Sequence, residues 1–187
     1  YNLEADRYFL EPRLPNENWY VKAITAPAST SALARGAAAR GALPADVARN
    51  GIALKAGEKV SGVTVTIADG AGAVSGKVAP DKEGLRLPAR MLVHLVPVET
   101  AAADDPLRYS EVATGRDGAF QFKNMAPGKY WLITRAVQDD KPDDSPPAPV
   151  AWNAIERAKL RKEAEALKIE IELKPCQRIT DQVVKYR

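Results

Sequence analysis

Two tight reversals lie close together in the second half of the chain, and together they force an antiparallel sheet. Gly115-Arg116-Asp117-Gly118 separates the extended candidates Tyr109–Thr114 and Ala119–Lys123, and Ala126-Pro127-Gly128 leads into a third, Lys129–Ala136. Asp-Gly admits the positive φ of a hairpin turn, and Pro-Gly fixes a second turn. Side chains alternate along a strand, so Phe120 and Phe122 share a face, as do Tyr130 and Leu132. Trp131 and Ile133 then point the other way. Both faces of the last strand need cover.

The same punctuation runs through the rest of the sequence. Ala73–Val78 reads as a strand with Val74, Gly76 and Val78 on one face. Met91–Val98 is apolar on both faces apart from His94, the pattern of a central strand covered on both sides. Further upstream, Tyr8–Leu10, Trp19–Ile24, Gly51–Leu54 and Val60–Ile67 look extended. In the last of these, Val63, Val65 and Ile67 alternate with Thr64 and Thr66, the mark of a half-buried strand. An Ala-rich stretch from Ala26 to Asn50 is broken by Gly36, Gly41 and Pro44, with a short helical turn near Ala45–Arg49. Trp152–Lys168 reads as a helix with Trp152, Ile155, Leu160, Ala164 and Leu167 along one side, and Ile169–Leu173 as a strand. Roughly seven to nine short strands and one real helix make a mainly β chain, an antiparallel Ig-like or prealbumin-like sandwich with an added C-terminal helix.

The turn at Asp69-Gly70-Ala71-Gly72 is the best boundary. It divides the chain into a partial β-rich, Ig-like domain over 1–70, a β-sandwich with its helix over 71–175, and a basic tail over 176–187. About four strand candidates precede the boundary, where an Ig-like sandwich needs about seven. The first part is therefore expected to find the missing cover in another domain or another subunit. The chain opens at Tyr1 without the basic and apolar regions of a signal peptide, which is expected of a mature or partial chain.

The segment Glu111–Thr134, EVATGRDGAFQFKNMAPGKYWLIT, resembles the hairpin and outgoing strand of the carboxypeptidase regulatory-like domain, a prealbumin-like or carbohydrate-binding-like β-sandwich. Thr114, Asp117, Gly118, Phe120, Phe122, Pro127, Gly128 and Tyr130 occupy the positions of its turn and core residues. Val74–Val78, VSGKV, is similar to its opening strand and Met91–Val98 to its second. The likeness covers about Ala73 to Ala136. ELKPCQRITDQV and the residues before Gly72 are similar to parts of larger secreted bacterial proteins that carry such modules in series. What the resemblance implies is export to the periplasm, the cell surface or the outside of the cell, and a structural or assembly role.

Charge and residue counts exclude other classes. In 187 residues, 27 Lys and Arg face 24 Asp and Glu, a net +3 too small and too scattered to argue for nucleic acid. No stretch approaches the ~20 apolar residues of a membrane span. A zinc carboxypeptidase needs two His and a carboxylate, and this chain holds only His94. Mid-strand, His94 is read as structural. No Gly-rich phosphate loop and no nucleophile elbow is present. The chain is thus expected to be no enzyme and to hold no cofactor or metal. Asp139, Asp140, Asp143 and Asp144 lack the glycine and closing Glu of an EF-hand and read as a solvated loop.

Four aromatics remain as candidate glycan or partner contacts: Trp19, Tyr20, Trp131 and Trp152. Core packing competes for them. The helix is expected to lie across an outer sheet face and to bury Trp152, Ile155 and Leu160 near Trp131. Cys176, the single cysteine, has no partner within the chain and is expected to be free or partly buried. The function these readings favour is a non-catalytic, exported β-sandwich module with a structural or assembly role in a larger protein or complex. Its partners would be other protein subunits or upstream domains of the same protein. The alternative is a carbohydrate-binding module.

Overall fold

A computed structural model describes residues 3–27, 44–82, 85–137 and 149–186. The protein is mostly β, with one long helix and one short one, and its main body is a sandwich. One sheet contains four antiparallel strands in the order β11-β10-β7-β8, where β7 is Met91–Pro97, β8 Ser110–Ala113, β10 Gly128–Ala136 and β11 Glu170–Leu173. The facing sheet has three, β12-β6-β9, with β6 Gly72–Pro80, β9 Ala119–Met125 and β12 Arg178–Tyr186. Between them lies the core, built from Val74, Val93, Leu95, Phe122, Tyr130 and Leu132, all at most 3% exposed. The alternation of β10 places Tyr130 and Leu132 in this core and Trp131 and Ile133 on the outer face.

β12 corrects the reading of a basic tail. Arg178–Tyr186 pairs in parallel with β6, so the smaller sheet is mixed rather than wholly antiparallel. Val184 is 1% exposed and closes the core. A register shift between Ile179 and Gln182, with Asp181 at φ 60°, breaks the alternation that would have marked a strand.

The long helix, α2, spans Ala154–Leu167 and packs on the outer face of the four-stranded sheet. Its N-cap is Asn153, whose side chain accepts from the amides of Ile155 and Glu156. Trp152 therefore precedes the helix, in a 3-10 turn over Val150–Trp152. The residues it buries are Arg157, Leu160 and Ala164, with Leu160 and Ala164 against Val96, Trp131 and Ile133. Ile155 is 78% exposed, contrary to expectation. The helix is phased so that Arg157 rather than Ile155 faces inward, its guanidinium 5.9 Å from the Tyr109 ring centre. A long aliphatic stem lets Arg cover apolar surface.

The N-terminal part forms a smaller unit. β2, Trp19–Ala26, lies between β3, Ala45–Asp46, and β5, Thr64–Asp69; β1, Arg7–Tyr8, pairs with β4, Ile52–Ala53. α1, Val47–Asn50, is a single turn capped by the Asp46 side chain. Ile24, Ala26, Val47 and Ala48 make a small core that also takes in Leu107 from the sandwich. Ties to the sandwich run through the Asn124 side chain, which donates to the carbonyls of Asn16 and Trp19, and through Glu17, which accepts from Lys123 and Arg178. The unit is docked on the sandwich, not free of it.

Candidate functional site

A cleft of about 590 Å³ lies where the N-terminal segment, β2, β8 and the Pro149–Trp152 segment converge. Clefts of this size suit small organic ligands. Leu10, Leu14, Pro106, Leu107, Met125 and Leu160 line it. Tyr20, Tyr109 and Trp152 are its aromatic surfaces, and the Trp152 ring stacks on Phe9 at 5.3 Å and 9° between planes.

His94 and Glu111 are the polar pair of the cleft. β7 and β8 run antiparallel with His94 opposite Glu111, which sets Nδ1 of the imidazole 3.5 Å from Glu111 Oε2. That oxygen also accepts from the Val150 amide at 3.2 Å. His94 is 2% exposed, and burial, with the positive charge of Arg135, drives its pKa down to about 4. Burial also raises the Glu111 carboxyl above its usual range, against the Val150 amide and Arg135, while Glu11 adds to the rise. At neutral pH His94 is uncharged, so the contact joins a carboxylate to a neutral imidazole and is no ion pair. A carboxylate beside Nδ1 favours the proton there, which leaves Nε2 as the lone pair. Nε2 is buried with no hydrogen-bond partner among the described residues.

Two of the four aromatics singled out from sequence meet in this cleft, Tyr20 and Trp152. Trp131 is 7% exposed beneath α2, with the Arg161 guanidinium 5.1 Å from its ring centre. Trp19 is half-buried, and its carbonyl serves Asn124. No stacking platform joins all four. Among the described residues no group of three or more His, Cys, Asp or Glu could hold a metal ion. Asp139, Asp140, Asp143 and Asp144 fall outside the described residues. Cys176 is free and exposed, at φ 59° in the turn before β12.

The second feature is an edge. β5 pairs with β2 on one side only, and no strand among the described residues flanks the other. Val65 and Ile67 are 38% and 43% exposed, so two residues of the expected apolar face are open to solvent. Val63 alone turns into the small core.

Sequence reasoning missed Glu111 as a site-shaping group. Glu111 matters only because the β7–β8 register puts it opposite His94, and a register is not written in either strand alone. No known protein family, curated protein or solved structure matches the chain.

Proposed function

We propose that the chain is a non-catalytic β-sandwich module whose N-terminal unit is completed by a strand from another subunit or another domain of the same protein. The carrying observation is the β5 edge. Natural proteins blunt such edges with charge, proline or a bulge. From Val60 to Ala68, the β5 edge and its approach carry no charged residue and no proline; the strand's one charge is Asp69 at its end, and the irregularity in its ladder lies on the β2 side, between Val21 and Ala23. An incoming strand would gain main-chain hydrogen bonds along the edge and pack its side chains on Val65 and Ile67. The resemblance to the carboxypeptidase regulatory-like domain supports a module that works in series within an exported protein, at the cell surface, in the periplasm or outside the cell.

The test is the joint substitution of Val65→Lys and Ile67→Lys, followed by sizing of the native complex from cells. The wild-type chain is expected in a larger assembly and the variant outside it. Identical elution of the two contradicts the reading. A second reading, carbohydrate binding, draws on Tyr20 and Trp152 sharing one cleft, and a glycan array tests it.

A further inference from the structure

We propose that the cleft between the N-terminal unit and the sandwich is a binding site for a small organic cation, an ammonium or guanidinium group on an apolar body. Three observations converge. Leu10, Leu14, Leu107 and Trp152 supply apolar and aromatic surface, which suits a hydrocarbon body. Among the polar groups within are two carboxylates: Glu111, set in the cleft by the Val150 amide, and the exposed Glu11. Neither makes an ion pair with a Lys or Arg among the described residues. Behind Glu111 stands His94, buried, with an Nε2 that has no donor to accept from among the described residues.

The nearby cations do not fill the gap. Arg135 is engaged with Glu163 at 2.7 Å, and Lys123 with Glu17 at 2.6 Å. Arg13 also lines the cleft, but it is exposed, so water and salt screen it. Glu111 is a half-buried carboxylate that meets one backbone amide and one neutral imidazole. A partly buried carboxylate without a cation is the costly half of a pair, and an incoming cation completes it. A neutral ligand of the same shape would gain only the apolar contact.

The experiment titrates the full 187-residue chain with phenethylammonium and, in parallel, with neutral 2-phenylethanol. Binding is followed by amide and Trp indole shifts in NMR spectra. The expected result is that the ammonium binds about tenfold or more tightly than the alcohol, an advantage that a charge-assisted hydrogen bond of ordinary strength supplies. Shifts should centre on Trp152, Glu111 and Val150. Glu111→Gln keeps an acceptor for the Val150 amide and should abolish the advantage, with an otherwise unchanged spectrum to show that it folds. Equal binding of ammonium and alcohol overturns the proposal, since the cleft is then only an apolar hole. It is also overturned if neither probe binds, if Glu111→Gln leaves the ratio intact, or if methyl glucoside binds where the ammonium does not.

Discussion

Asn124 ties the two β units together from a left-handed backbone conformation: at φ 57° its side-chain amide donates to the Trp19 carbonyl at 2.7 Å. The same amide donates to the Asn16 carbonyl at 2.8 Å. One residue thus bridges the end of β9 and the start of β2. Asn tolerates this region of φ better than most residues, and glycine better still.

Two substitutions separate these roles. Asn124→Gly keeps the conformation and loses both hydrogen bonds, at a cost of about 1–3 kcal/mol. Asn124→Ala adds backbone strain and should cost about 1 kcal/mol more. Urea unfolding followed by Trp fluorescence checks both values. If the variants match the wild type, the bridge does not hold the units together.

Gly76 lies opposite Gln182 in the β6–β12 pair and leaves no room for a side chain. A Cβ there would stand 1.8 Å from the Gln182 carbonyl oxygen, a backbone atom with no rotamer to escape into. Gly76→Ala should destabilise the chain by about 3 kcal/mol, and the damage should centre on β12. Amide exchange reads the location. Faster exchange confined to Gln182–Tyr186 and β6 is expected, and a variant as stable as wild type contradicts the packing.

Arg161 anchors α2. Its guanidinium lies over the Trp131 ring and donates to the carbonyls of Pro97 and Val98 at the end of β7. Arg161→Ala should cost about 2 kcal/mol and shift Trp131 emission to the red as the helix loosens. Leu160→Ala, at a position 1% exposed, should cost about 2–5 kcal/mol. Ile155→Ala, on the exposed face, should change stability by under about 0.5 kcal/mol. Thermal melts rank the three.

His94 makes stability depend on pH. Its folded-state pKa of about 4 is below the unfolded value of 6.5, so between these the unfolded chain binds the extra proton. Stability from this group is full above about pH 6.5 and falls by about 3 kcal/mol as pH drops toward about 4. Glu111, with its raised carboxyl, works in the opposite sense by holding its proton more tightly when folded. The clean readout is the difference between wild type and His94→Asn. The variant should lose the downward slope between about pH 6.5 and 4, and parallel pH profiles for the two proteins would refute it.

How much of this was legible follows from the range of each interaction. The hairpin at Gly115–Gly118 and the two faces of β10 could be read because turn chemistry and alternation are local. The phase of α2 could not. Ile155 and Arg157 compete for the inward position, and Arg157 takes it by reaching the Ala151 carbonyl and the Tyr109 ring. β12 was hidden by its charges and by the irregularity before Gln182. The cleft joins Leu10, Glu111 and Trp152, residues far apart in sequence, so no local pattern announces it. Val63, Val65 and Ile67 did announce an apolar face, but alternation cannot say whether anything covers it.

That open face leads to the most direct test of the central claim, that the β5 edge is completed by another strand. Hydrogen exchange at Thr64–Asp69 should be measured in the isolated chain and in the native assembly. The account predicts exchange at least about tenfold slower in the assembly at every second amide, those facing away from β2, with little change in β7 and β10. Equal exchange across Thr64–Asp69 in both states would contradict it.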